Sequence, residues 1–176
     1  VNQLRNMPRP TNTKSRQSQI IRAMSEVMSE AGYEGATIQS VASKAGLTPG
    51  LVHYHFKSKQ EILLNVITMI EDLIKQRYRA RTSPDALKDL AAYIDAFLAL
   101  GYDSDVKAVG CWIVIGSEAL RQAEVRAVYQ AAVTRQIASL ESIIERCLTA
   151  AGKSTQKKRS IALGTYAAIE GAFRLL

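Results

Sequence analysis

The sequence has 176 residues, 47% of them hydrophobic, which excludes a disordered chain and provides for one large or two small packed domains. Charged residues interrupt every apolar run well short of the roughly 18 residues of a membrane span, and VNQLRNMPRP at the start lacks the apolar core of a signal peptide, so a cytoplasmic location is expected. The formal charge of +7 is uneven: residues 1–60 hold eight Lys/Arg against three Asp/Glu, the remainder fifteen against thirteen. A basic segment that folds suits a phosphate-backbone binder, although charge alone fits a merely soluble basic surface equally well.

Residues 1–13 are polar and broken by Pro8 and Pro10, and read as a flexible arm, after which Lys14 and Arg16 are placed to meet phosphate. Ile20, Ile21, Met24, Val27, Met28 and Ala31 then recur at helical spacing, and Gly32 is expected to end that helix. Thr37 can cap a short second helix with Ile38, Val41, Ala42 and Ala45 on one stripe. Gly46 suits a tight left-handed turn, Leu47 should enter the core, and Thr48-Pro49 opens a third helix as cap and first residue. Ser58 and Glu61 form a capping box for a long fourth helix carrying Ile62, Leu63, Val66, Ile70, Leu73 and Ile74.

Further on, Ser83 is the expected cap of a helix that starts at Pro84, carries Leu87, Leu90, Ala91, Ile94, Phe97 and Leu98, and closes at Gly101. A short linking helix around Asp103 to Val109 leads into CWIVIGSEAL, apolar almost all round and therefore buried on several sides. A long helix from about Glu124 to Ala151 ends at Gly152, and a last one carries Ile161, Leu163, Tyr166, Ala167, Ile169 and Phe173. No strand pattern occurs, so the fold is expected to be all-α. The final Leu175 and Leu176 lack a cap, so the sequence is expected to stop short of the natural end. Cys111 and Cys147 lie in no CxxC pair and beside no histidine, and both read as buried small hydrophobes, so no disulfide, metal or cofactor is expected.

Short helix, glycine turn and second short helix make a helix-turn-helix, whose second helix presents its N-terminal residues to the major groove. The full string T-x-x-x-V-A-x-x-A-G-L-T-P-G-x-V-x-x-H-F-x-S-K-x-x-I-L, from Thr37 to Leu63, resembles the DNA-binding domain of the TetR family of one-component repressors, with similarity from about Lys14 to Ile67. The resemblance implies an N-terminal three-helix DNA-binding domain over 14–60 and a C-terminal helical effector-binding and dimerisation domain over 61–176. It makes Val41, Ala42, Ala45, Leu47, Val52 and Phe56 the small core, and Thr37 and Thr48 caps whose hydroxyls also reach phosphate. Gln39, Pro49, Gly50, Leu51 and Tyr54 fall on the reading side; Gln can pair with adenine, Gly50 lets the backbone approach, and Leu51 can touch a thymine methyl. His53 stands where the family usually has a phosphate-binding tyrosine, and a protonated ring would bind more strongly. Lys59 matches a phosphate-contacting lysine and is helped by the helix dipole. His53 and His55 point apart on a helix, so they make a poor metal pair, and His55 reads as packing.

For the C-terminal body the resemblance implies a palindromic operator read by a homodimer that buries the faces of the last two helices, and a small-molecule effector that releases it. Candidate ligand residues are aromatic or polar groups within apolar stretches: Tyr93, Phe97, Tyr102, Trp112, Ser117 and Glu118, although Phe97 and Trp112 suit plain core equally well. A buried Glu118 needs a partner, which Arg121, Arg126 or a cationic or zwitterionic effector can supply, and the spacing W-x-x-x-x-x-E-A-x-R is similar to that of the family's betaine-regulator branch. The competing classes are an effector-independent regulator or activator with a packed body, and an all-α enzyme. The enzyme lacks a nucleophile with a base, because both histidines lie inside the DNA-binding motif.

Overall fold

Helix α1 (Thr13–Gly35) buries Ile20, Ala23, Met24, Val27 and Met28, a stripe at helical spacing. Gly32, the expected terminus, leaves helical geometry at φ 71°, yet the chain turns on to Gly35 and carries Tyr33 into the core. The computed structural model describes residues 13–98, 106–173 and 175, with eight helices and no strand among them, so the architecture is all-α.

Thr37 caps α2 (Ile38–Ala45), its Oγ1 accepting the Ser40 N–H at 3.1 Å. Gly46 follows at φ 63°, and Thr48 Oγ1 accepts the Leu51 N–H at 3.3 Å to open α3 (Pro49–His55). Val41, Ala42, Ala45, Val52 and Phe56 are buried between these helices and α1, whereas Leu47, expected in the core, is half-buried. Gln19 donates to the Ala45 carbonyl at 2.6 Å, and Lys44 bonds Glu30 at 2.8 Å, so side chains of α1 fix both the end and the outer face of α2. A Cβ on Gly46 would meet nothing within 4 Å, leaving backbone strain as the only penalty of a side chain there. Gly46→Ala should therefore cost about 1–2 kcal/mol in urea unfolding, and an unchanged midpoint would show that the turn tolerates a Cβ.

Helix α4 (Lys59–Arg79) begins with Ser58 Oγ accepting the Glu61 N–H at 3.1 Å. The reciprocal bond differs from the expected box, because Glu61 Oε2 reaches one residue further back and accepts the Lys57 N–H at 2.7 Å. Contacts group the chain into two units that divide within α4, between Val66 and Ile67.

In the second unit α5 (Ala86–Leu98) is capped by Asp85 instead of Ser83. Asp85 Oδ1 accepts from both Leu87 N and Lys88 N at 3.0 Å, while Ser83 Oγ only braces Asp85 N. Helix α6 (Val106–Ala119) absorbs residues 106–109 of the expected linking helix; the rest of that segment and Gly101 lie outside the described residues. Cys111, Trp112, Ile115 and Ala119 are buried along it. Helix α7 (Ala123–Ala150) packs against α5, α6 and α8 (Lys158–Ala172). Cys111 is buried, but Cys147 is only half-buried, its thiol against the Ala86 carbonyl at 3.1 Å, and the two are not joined by a disulfide. On α8, Ala162, Tyr166 and Ile169 are buried, with Phe173 just beyond; Ile161 and Leu163, expected on the apolar face, are exposed.

Candidate DNA interface and effector cavity

The seven residues of α3 divide cleanly by side. Val52, like the adjoining Phe56, is buried, which fixes the helix on its scaffold. One turn apart on the other side, Gly50, His53 and Tyr54 are exposed, with Pro49 at the start and Tyr54 at 79% exposure. The Tyr54 ring stands edge-on to His55, centroids 5.1 Å apart, and His55 is half-buried, so the pair stiffens the helix end. Leu51 is half-buried, while Thr37, Gln39, Thr48 and, at the start of α1, Lys14 are exposed. The cap uses a lone pair of Thr48 Oγ1 and leaves its proton for an outside acceptor. A Cβ on Gly50 would meet nothing within 4 Å, so only an approaching partner would feel it.

Lys59 is placed differently from its expected phosphate role. Its ammonium donates to the Tyr33 carbonyl and lies 3.8 Å from the Tyr33 ring centroid, tying the start of α4 to the segment after Gly32. These two residues are 26 apart, and no local spacing signals the contact.

Within the second unit, a cavity of about 320 Å³ opens between α4, α5 and α7. Its apolar walls are Ile74, Tyr78, Tyr93 and Phe97, and its polar groups are Glu71, Lys75, Arg79, Arg135, Gln136 and Ser139. Of the sequence candidates, Tyr93 and Phe97 line it. Trp112 lines a separate space of about 20 Å³ and donates from Nε1 to Glu170 at 2.8 Å. Ser117 is exposed and borders neither, and Tyr102 lies outside the described residues. Glu118 is buried away from the cavity, and its partner is Gln122, whose Nε2 donates to Oε1 at 2.7 Å. Arg126 bonds the Ala119 and Leu120 carbonyls instead of Glu118, each at 2.8 Å.

The polar groups that the sequence did not single out are held in pairs across helices. Arg135 clasps buried Glu71 through two bonds, 3.1 Å to Oε1 and 2.8 Å to Oε2. The Tyr93 hydroxyl donates to the Gln136 carbonyl at 2.9 Å, and the Tyr78 hydroxyl to Asp89 Oδ2 at 2.8 Å. Burial pushes both phenols above their ordinary value, Asp89 adding to the effect at Tyr78, so both stay protonated donors. Asp89 also accepts from Arg146 and, at 3.2 Å, from Ser83 N. One visible signal was available: Gln136 interrupts the series Ala132, Leu140, Ile143 on the buried face of α7.

Residues 20–66 match the model of the bacterial regulatory proteins of the tetR family. The chain is 29% identical over 139 residues to the HTH-type transcriptional regulator BetI of Stenotrophomonas maltophilia, spanning 76% of this chain and 69% of that one. It is 26% identical to the HTH-type transcriptional activator FasR of Mycolicibacterium smegmatis, spanning 86% and 68%. Two solved structures share the fold. A transcriptional regulator from Saccharomonospora viridis in complex with choline aligns at TM-score 0.75 and 24% identity, covering 90% of this chain and 83% of that one. The regulator FadR from Bacillus subtilis in complex with stearoyl-CoA aligns at TM-score 0.71 and 21% identity, covering 89% and 84%. The family match coincides with the capped helix-turn-helix and the exposed side of α3, so residues 20–66 form a DNA-binding domain of the tetR type, in a chain similar over most of its length to HTH-type transcriptional regulators.

Proposed function

We propose that the protein is a cytoplasmic repressor that binds a palindromic operator as a homodimer and leaves it when a small molecule fills the cavity of the second unit. The observation that carries the DNA side is the exposure of Gly50, His53 and Tyr54 on a helix whose opposite side is locked into the core. In this assignment residues 14–60 bind DNA and 61–176 hold the effector and the partner subunit. Gln39, Leu51 and Tyr54 read bases, Pro49 and Gly50 let the backbone approach, and Lys14, Thr37, Thr48 and His53 hold phosphate; Lys59 contributes by fixing the start of α4. Exposed Ile161 and Leu163 on α8 supply apolar area for a four-helix interface with a second copy.

The effector side is supported by the cavity of about 320 Å³, which a ligand-free regulator with a solid body has no use for. Tyr93 and Phe97 are its effector residues in this proposal. The relatives crystallised with choline and stearoyl-CoA support a body that binds small molecules. Release requires that the ligand bind the DNA-incompetent state more tightly, and α4, continuous from Lys59 to Arg79, is the element that carries the change.

The test combines sedimentation with binding. A dimer at micromolar concentration is expected, with affinity for a selected operator that falls steeply with salt as counterions are released. A monomer throughout, or binding indifferent to salt, would refute the proposal.

A further inference from the structure

The one carboxylate that lines the cavity of α4, α5 and α7 is already committed, because both oxygens of Glu71 are held by Arg135. The hydroxyls are committed as well: Tyr78 donates to Asp89, Tyr93 to the Gln136 carbonyl, and Ser139 to the Arg135 carbonyl at 3.1 Å. The charge of the lining is positive: with Arg135 matched to Glu71, Lys75 and Arg79 remain, and Lys75 meets only the exposed Asp72, outside the lining, at 3.4 Å. The remaining lining is Ile74, Tyr78, Tyr93 and Phe97, with the Tyr93 and Phe97 rings 4.9 Å apart.

We infer that the cavity takes an amphipathic monocarboxylate, whose apolar or aromatic body lies against Tyr78, Tyr93 and Phe97 and whose charge is met by Lys75 and Arg79. A cation finds no open carboxylate there, and the attraction of the aromatic faces is opposed by the charges of Lys75 and Arg79. The space equals about ten water volumes, room for a body of roughly ten carbons. This ligand class rests on the effector proposal above, and it names the chemistry that the effector must have.

Three molecules of one skeleton separate the possibilities: phenylbutanoate, phenylbutanol and phenylbutylamine, with choline as a fourth probe. Each is titrated calorimetrically into the full-length protein, and release from a selected operator is followed separately by fluorescence anisotropy. Phenylbutanoate is expected to bind about tenfold or more tightly than the alcohol and the amine. The double variant Lys75→Gln/Arg79→Gln, which changes only surface-reaching side chains, should erase most of that advantage without altering the melting temperature. Equal or tighter binding of the amine or choline, or no binding by any probe, would overturn the inference. Carboxylate binding without operator release would leave the ligand class standing and refute the effector proposal, whereas release by the amine alone would do the opposite.

Discussion

Replacing Asp89 with alanine should lower the stability of the second unit by about 2–3 kcal/mol, or about 5–10 °C in melting temperature for a chain of this size. Asp89 is 2% exposed and joins three segments: it accepts from Tyr78 at the end of α4, from Arg146 on α7 and from Ser83 N before α5. Removing the carboxylate leaves the Tyr78 hydroxyl and the Ser83 N–H without acceptors. The Arg146 side chain is 48% exposed and can turn to water, which keeps the loss below that of a fully buried pair. Burial opposes ionisation of Asp89, but the hydrogen bonds from Arg146, Tyr78 and Ser83 outweigh it and hold the carboxyl below its ordinary value of 3.8. A folded value below the unfolded one means that the contribution is complete above about pH 4 and is lost as pH falls through the folded value. Calorimetric scans should therefore show a wide gap between wild type and Asp89→Ala at pH 7, narrowing below pH 4. Equal melting temperatures at pH 7 would show that the network adds nothing.

Tyr54→Ala should leave folding intact and remove sequence preference. At 79% exposure the ring contributes only its edge contact with His55 to the protein, so melting should change by no more than a surface substitution does. If the ring contacts bases, operator affinity should fall by about 1–3 kcal/mol, at least fivefold, while binding to unrelated DNA stays the same. His53→Ala supplies the contrast. A phosphate contact should weaken operator and unrelated DNA together and reduce the salt slope by about one. Anisotropy titrations at two salt concentrations separate the two patterns, and a Tyr54 variant that loses affinity for both DNAs alike would reassign that residue to the backbone.

What could be read along the chain was whatever is encoded within a turn or two. Thr37, Gly46, Thr48 and Pro49 punctuate the helix-turn-helix because capping and positive φ are local demands, and Val41, Val52 and Phe56 follow from periodicity. Asp85 replaced Ser83 as a cap because both residues have the chemistry and only the folded backbone decides which oxygen faces two N–H groups. The cavity was hardly legible at all. Glu71 and Arg135 lie 64 residues apart, Asp89 and Arg146 lie 57 apart, and Tyr93 meets Gln136 across 43, distances over which no periodic pattern carries information. Glu118 shows the converse: the spacing suggested a cation, whereas the partner that the fold gives its Oε1 is an amide four residues away in the chain.

The most direct measurement is selection of bound DNA from a random duplex pool by the full-length protein at fixed salt, with Tyr54→Ala selected in parallel. The wild type should enrich a palindrome with half-sites about one helical turn apart, and Tyr54→Ala should lose that enrichment while still retaining DNA. Enrichment of no sequence, or of the same palindrome by both proteins, would contradict the assignment of the exposed side of α3 as the reader.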